Sequence, residues 1–296
     1  MITVFTPTFN RANTLPRLYE SLRNQDCFNF EWLVINDGST DGTDELFKNW
    51  LEDNNRFVIR YYVVKNGGKQ RAINKALALA AGDFFFIVDS DDSLAPDAIS
   101  FIISGFHSLP QDDYSFIGIS ALKVSFDGKY LNQRPLIDSS IGYVDCNNIE
   151  RPIYNLQADM AEVFFTSKLQ KYKFPVWANE YFTPEAVVWD QIAIDGFKLR
   201  WFEKSIYFCE YQPDGLTNSS WSLLKRNPMG YAMLYNTRLK YIKSNRIITV
   251  IQFVSCCCLA KEYNYLARCN SRLVFLLFPI GWLLSIRRKM QIKHYS

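Results

Sequence analysis

The segment Phe84-Phe85-Phe86-Ile87-Val88-Asp89-Ser90-Asp91-Asp92 constrains this chain more than any other. Its apolar run reads as a strand buried on both faces. That strand then delivers three carboxylates within four positions. Like charges packed so closely at a sheet are costly unless a cation or hydrogen bonds compensate them. They belong at the strand's carboxyl end, where open α/β sheets bind ligands, and there they suit a divalent cation. Carboxylate, hydroxyl and water oxygens are hard ligands, matched to Mg²⁺ or Mn²⁺ and poorly to zinc. The alternative is a solvated acidic turn that caps a helix begun by Pro96.

Three further strand–loop–helix units frame that strand. Ile2–Phe5 reads as a strand, Thr6-Pro7-Thr8-Phe9-Asn10-Arg11 as its loop, and Leu15, Leu18 and Leu22 mark the helix that follows. Residues 31–36 form a second strand, closed by Asp37-Gly38-Ser39-Thr40-Asp41-Gly42. A helix follows, with Thr43 as expected N-cap and Asp44 and Glu45 in its first turn. Phe57–Val64 is a third strand. Asn66-Gly67-Gly68-Lys69-Gln70-Arg71 then opens a helix over Ala72–Ala81, ended by Gly82. Such repetition implies a mostly parallel sheet flanked by helices, with right-handed crossovers and every distinctive loop on one edge. That edge is a nucleotide-binding half-domain.

Pro7-Thr8-Phe9-Asn10-Arg11, Val34-Ile35-Asn36-Asp37-Gly38-Ser39-Thr40-Asp41, the Asn74–Gly82 helix with its Gly-Asp end, and Val88-Asp89-Ser90-Asp91-Asp92 occur in this order. In these motifs the chain resembles the family 2 glycosyltransferases of the GT-A fold. The likeness is strong over residues 1–100 and continues more weakly to about 222. It implies that Asp37 reads the base of a nucleotide sugar and that Thr6, Thr8 and Arg11 flank it. It also implies that Asp89, Asp91 and Asp92 manage ribose and metal, with Mg²⁺ or Mn²⁺ held against the diphosphate. Asn36 stands where the family often has a further Asp, a departure expected to be tolerated because Asp37 is retained.

The implied chemistry builds negative charge on a leaving diphosphate, which a cation and nearby basic groups stabilise. Lys69 and Arg71 sit at a helix N-terminus, either as diphosphate contacts or as ordinary solvated cations. Inversion at the sugar also needs a base for the acceptor hydroxyl. In the family this base belongs to an acidic motif before a helix, here within residues 179–193. Pro184 and Glu185 suit a helix's first turn, while Val188 and Ile192 are spaced to bury one face. Glu185 is the expected base. Ala186 stands where an acid commonly follows it, so Glu180 is the rival and Glu185 serving only the helix dipole is the alternative. Asp190 reads as structural, and Asp159 as a secondary candidate on the acceptor side.

The net charge of +3 hides an asymmetry. Residues 223–296 carry a net +12, with Glu262 as their one acid, and the first 222 residues carry −9. A basic tail suggests an anionic partner. Its apolar runs, 247–259 and 273–284, favour a membrane surface over nucleic acid, since the aromatics are embedded in those runs and not interleaved with cations. The second run, broken by Pro279 and flanked by Arg287-Arg288-Lys289, falls short of the roughly 20 residues a span needs. Helices lying in the headgroups of an anionic leaflet are expected, with a helical cap or a homo-oligomer contact as alternatives.

Seven cysteines without paired spacing and only two histidines argue against a zinc site and fit buried thiols in a reducing compartment. The first strand begins almost at Met1, so no signal peptide is expected. Neither G-x-G-x-x-G nor a Walker A loop occurs. The expectation is therefore a GT-A α/β domain over 1–222 with a C-terminal helical extension over 223–296. Within the domain, 1–105 binds the nucleotide sugar and 106–222 faces the acceptor. The resemblance implies sugar transfer from a nucleotide sugar, UDP-linked, to a glycan or lipid-linked acceptor, at the inner face of a bacterial cell membrane. A sugar nucleotidyltransferase is the rival, but it needs a glycine-rich loop after the first strand, and Thr6–Arg11 has none. A non-catalytic membrane scaffold of the same fold is the other.

Overall fold

The structure is a computed structural model that describes residues 1–210 and 220–290. The strands in chain order are β1 (Ile2–Thr8), β2 (Phe30–Asn36), β3 (Val58–Val63), β4 (Phe84–Ile87), β5 (Ser93–Leu94), β6 (Phe116–Ser125), β7 (Tyr143–Cys146), β8 (Met160–Phe165) and β9 (Lys198–Cys209). The helices are α1 (Leu15–Arg23), α2 (Thr43–Glu52), α3 (Lys69–Leu79), α4 (Ala98–His107), α5 (Thr166–Leu169), α6 (Ala186–Ile194), α7 (Ser220–Arg226), α8 (Pro228–Arg238), α9 (Arg246–Ala260) and α10 (Val274–Met290).

The strands form one sheet in the order β3-β2-β1-β4-β8-β6-β9-β5, with β7 paired to β9. β3, β2, β1 and β4 run parallel, which is the expected βα-repeat half. β8 then enters antiparallel between β4 and β6. β4 lies mid-sheet, so Phe85 and Phe86 are fully buried, as a continuous apolar run requires. Gly82 precedes it because a Cβ there would lie 2.4 Å from the amide of Thr3. The core on one face gathers Leu18, Tyr19, Trp32, Phe47, Phe86 and Ile102. Glu31, buried in β2, accepts hydrogen bonds from the Thr3 hydroxyl at 2.6 Å, the Ala81 amide at 2.8 Å and Arg60 at 2.9 Å. Burial works to raise its pKa, but these donors outweigh it and hold the carboxyl below its usual value.

Several local expectations shift. β1 does not stop at Phe5 but runs to Thr8, because Thr6, Pro7 and Thr8 pair in register with Val34, Ile35 and Asn36. α3 begins at Lys69 rather than Ala72, and α4 at Ala98. Thr43 is the first helical residue of α2 and Gly42 its N-cap. The capping work falls to the Asp41 carboxylate, which accepts the Thr43 amide at 3.1 Å and the Ala12 amide at 2.9 Å.

The chain divides into two compact units, Met1–Lys173 with Asp195–Tyr211, and Phe174–Ile194 with Gln212–Ser296. Residues 174–194 thus pack with the C-terminal helices. The second unit's core holds Met229, Phe253, Val254, Cys256, Cys257 and Val274. All seven cysteines are free thiols. In α10 the expected basic triplet is split. Arg288 is buried and donates to Ser255 Oγ at 3.0 Å and to Gln252, while Arg287 and Lys289 stay exposed. Gly281 lets α10 close on α9, since a Cβ there would meet the Val254 side chain at 2.5 Å. Phe278 likewise packs toward this core. Among the described residues no helix is long and apolar enough to cross a membrane. Residues 291–296 of the expected extension lie outside the described residues.

Candidate functional site

The carboxyl edge of β3-β2-β1-β4 carries the site, and its loops are laced together by side chains. Asn10, in the left-handed region at φ 52, accepts the Thr40 amide at 2.8 Å, while its own amide donates to Ser39 Oγ at 2.9 Å. Asn36 Oδ1 accepts the Ser39 amide at 2.8 Å, and its Nδ2 donates to Asp44 at 2.9 Å and to the Tyr61 hydroxyl at 2.6 Å. An aspartate at position 36 would lose both donations and face the Asp44 carboxylate. That is a physical reason for asparagine where the resembled family often carries acid.

Asp37, nearly buried, spends its carboxylate on the opposite loop. Its oxygens accept the Gly67 amide at 2.8 Å and the Gly68 amide at 2.7 Å. Burial leaves its pKa raised even though both amides and Arg71 oppose it. Gly38 sits at φ +78, where a Cβ would press the Asn66 amide at 3.0 Å. Asp37 therefore fixes the turn that starts α3 and aims Lys69. Arg71 folds back to donate to the Gly67 carbonyl.

The two threonines expected to flank the base lie on one face of β1 but have different surroundings. Thr6 is fully buried and its hydroxyl accepts the Trp32 indole N–H at 3.0 Å, a core contact. The Thr8 hydroxyl, also buried, has no hydrogen-bond partner among the described residues. Arg11 Nε lies 3.9 Å from Asp91 Oδ2.

The three acids of the loop after β4 meet different surroundings. Asp89 Oδ1 lies 2.7 Å from Lys69 Nζ, and its Oδ2 lies 4.0 Å from Lys123 Nζ. Burial acts to raise its pKa, but Lys69 and Lys123 prevail and hold it below the usual carboxylate value. Asp92 accepts the Tyr207 hydroxyl at 2.7 Å, and that hydroxyl accepts the Asp89 amide at 2.9 Å. Burial pushes the Asp92 carboxyl up to about 7 against the pull of Lys123. Asp91 is raised by burial and then by the charge of Asp89, with Arg11 opposing. Its backbone carbonyl accepts from Arg17.

Lys123 and Tyr207 were not singled out from the sequence. They are register partners on β6 and β9, and the Lys123 ammonium lies 4.0 Å above the Tyr207 ring. The available signal was a lone lysine within the buried run Phe116–Ser125, a residue type seldom buried unpaired. Asp159 also raises the Lys123 pKa, which places it in the same electrostatic neighbourhood. Lys123 lines a small cleft with Tyr130, Asn132, Gln133 and Asn155.

The donor chemistry fits a Mg²⁺ or Mn²⁺ ion. Asp91 is a partly buried carboxylate whose ion pair with Arg11 is long, at 3.9 Å, and whose pKa is raised by burial and then by the charge of Asp89. Among the described residues no three His, Cys, Asp or Glu side chains converge on one point as a metal group.

The two candidate bases lie in the second unit. Glu180 is buried and its oxygens accept the Met229 amide at 2.8 Å and the Gly230 amide at 2.9 Å, which caps the start of α8. Burial raises its pKa although both amides oppose. Glu185 immediately precedes α6, its carbonyl accepting the Val188 amide at 2.8 Å, and its side chain is half-buried. Asp190 is structural, accepting the Tyr241 hydroxyl at 2.9 Å.

Residues 3–146 match the family described as Glycosyl transferase family 2. A chondroitin synthase of Pasteurella multocida is 35% identical over 106 residues, covering 36% of this chain and 11% of that protein. The abequosyltransferase RfbV of Salmonella typhimurium is 35% identical over 104 residues, covering 34% of this chain and 31% of its own length. The chain thus spans less than a third of either relative. Among solved structures, S. aureus TarS 1–349 in complex with UDP-GlcNAc superposes with a TM-score of 0.61 at 16% identity, covering 100% of this chain and 93% of that one. The mannosyltransferase PcManGT of Pyrobaculum calidifontis, in complex with GDP-Man and Mn²⁺, gives 0.58 at 15% identity, over 98% and 82%. The fold is GT-A, and the match to the family 2 glycosyltransferases covers its residues 3–146.

Proposed function

We propose that this protein is a glycosyltransferase that moves a sugar, with inversion, from a UDP-linked donor to a glycan or lipid-linked acceptor, assisted by Mg²⁺ or Mn²⁺. The observation that carries the reading is the 2.7 Å ion pair of Lys69, at the N-terminus of α3, with Asp89 of the acidic loop that also holds Asp91. An acid for a cation and a basic helix start for a diphosphate lie on one sheet edge. Similar solved proteins bound to UDP-GlcNAc, or to GDP-Man and Mn²⁺, support it.

Asp91, with Asp89, would hold the cation, which neutralises charge on the leaving diphosphate. The chain's own groups do the rest. Lys69 and the α3 amides stabilise the same charge, the Asp37-braced turn fixes their aim, and Thr8 and Arg11 line the nucleoside side. Glu185 takes the acceptor proton, since Glu180 is committed to α8. The test is a panel of nucleotide sugars assayed for transfer and hydrolysis with and without Mn²⁺. A UDP-sugar should turn over only with the cation, and Asp91→Asn should abolish turnover in a folded protein. Undiminished turnover in chelator would refute the metal assignment.

The second unit supports docking at the inner face of an anionic membrane. α10 exposes Phe275 (73%), Leu276 (74%), Ile280 (51%), Trp282 (44%) and Leu283 (58%) along one side, with Arg272, Arg287 and Lys289 at its ends. An apolar stripe with a tryptophan and cationic ends suits a headgroup layer.

A further inference from the structure

We infer that the small cleft between the loop after β6 and the start of β8 seats the transferred sugar and reads one of its hydroxyls through Asn132, Gln133 and Asn155. This rests on the donor-site reading above and deepens it. β8 runs antiparallel to both β4 and β6, so the start of β8 and the end of β6 share the edge on which Asp89 follows β4. Met160 pairs there with Leu122, the neighbour of Lys123. With strands about 4.8 Å apart, the end of β6 lies roughly 10 Å from β4 along that edge. Lys123 reaches across the gap. Its ammonium lies 4.0 Å from Asp89 Oδ2, and its side chain lines the cleft with Tyr130, Asn132, Gln133, Asn155 and Met160. The nucleoside side lies the other way, on β1, which Thr8 ends and Arg11 follows. A nucleotide sugar laid along the edge with its diphosphate at Lys69 therefore carries its sugar toward the cleft.

The loop that lines the cleft is tied down at both ends. Tyr130 bridges to Val124, the Leu136 amide donates to the Tyr154 carbonyl at 2.9 Å, and Arg134 pairs with Glu203 at 2.8 Å. Asn155 occupies the left-handed region at φ 55, and its Nδ2 donates to the Arg134 carbonyl at 3.3 Å. Its Oδ1 and the side-chain amides of Asn132 and Gln133 have no hydrogen-bond partner among the described residues. An amide side chain is uncharged and both donates and accepts, as a sugar hydroxyl does. The interior of the cleft admits a group of about the size of a water molecule, so a sugar ring lies across its mouth and sends one hydroxyl in. An acetamido or carboxylate substituent at that ring position is too large to follow.

The experiment measures the affinity of the full chain, with Mn²⁺ and without acceptor, for UDP, UDP-glucose, UDP-galactose, UDP-N-acetylglucosamine and UDP-glucuronate. Wild-type protein should prefer one of these sugars by at least about tenfold, the worth of one good hydrogen bond. Asn132→Ala and Gln133→Ala change exposed side chains and leave the fold intact. Each should weaken the preferred donor about tenfold and leave UDP affinity unchanged. Deoxy forms of the preferred sugar complete a double-mutant cycle. Removing the hydroxyl that the cleft reads should cost wild type about tenfold and cost Gln133→Ala nothing further. A loop with only a structural role would shift UDP and the UDP-sugar together. Absence of any sugar preference in a chain that binds UDP overturns the inference alone. So do variants that keep the wild-type preference. Variants that keep donor affinity and raise the KM of the acceptor would give the cleft to the acceptor, which also overturns it. A wild-type chain that binds no UDP overturns the proposed function, and this inference with it.

Discussion

Asp37→Asn separates two roles that one carboxylate could have at this site. In the structure its oxygens receive the Gly67 and Gly68 amides at 2.8 and 2.7 Å, and the side chain is buried. Asparagine is nearly isosteric but keeps a single acceptor oxygen, and its NH₂ must confront the other glycine amide. A buried N–H left without an acceptor costs about 1–3 kcal/mol, and exchanging a charge-assisted bond for a neutral one loses about 1 kcal/mol more. Part of this returns because a buried charge disappears, one whose pKa burial already raises. The net cost should be about 2 kcal/mol. For a cooperative unit of this size that lowers the midpoint by about 4–8 °C. The same change loosens the turn that aims Lys69, so UDP affinity should fall at least about tenfold. Thermal unfolding and calorimetric titration with UDP and Mn²⁺ measure both quantities on one preparation. A wild-type midpoint combined with lost UDP affinity would refute the bracing argument, because the carboxylate would then act on the nucleotide and not on the turn.

Glu185→Gln should cut transfer by about 10²–10⁴ at unchanged UDP affinity, as expected for a lost general base. Steady-state kinetics in which Glu180→Gln is inactive but folded and Glu185→Gln is active would reverse the choice. For the membrane face, Leu276→Glu with Leu283→Glu should abolish co-sedimentation with anionic vesicles while preserving the fold, since both side chains are exposed. Neutralising Arg272, Arg287 and Lys289 should weaken it by about 1 kcal/mol each. Equal binding to neutral and anionic vesicles would remove the electrostatic part. Deleting residues 270–296 is a poor substitute, because Val274 and Leu277 belong to the second unit's core. Glu31 offers a pH test. Its folded pKa is lowered, so its contribution is full above the unfolded value of 4.5 and is lost as pH falls through the folded pKa. Glu31→Gln should therefore unfold more readily at neutral pH and show a flatter stability profile through the acid range. A parallel profile in urea titrations would contradict it.

The sequence by itself determined the βα order, the buried central strand and the edge on which the motifs gather. Those follow from local periodicity and turn chemistry, which Phe84–Asp92 and the Asp37-Gly38 turn display without reference to the rest of the chain. The placement of Asp37, Lys69, Asp89, Asp91 and Asp92 on that edge was legible because each follows a strand at its carboxyl end. Thr6 was misread as a loop residue, since the length of β1 is set by its pairing with β2 and not by its own residues. Only the tertiary structure could bring Lys123 and Tyr207, 84 positions apart, to the acidic loop, for they meet through the pairing of β6 with β9. It also distinguished Glu180, which caps a helix begun almost 50 residues later, from Glu185. Likewise it buried Arg288 between Ser255 and Gln252 while leaving its neighbours in solvent. Compensation of charge is a property of what surrounds a group in space. Sequence lists the charges, and only the packed fold decides which of them cancel.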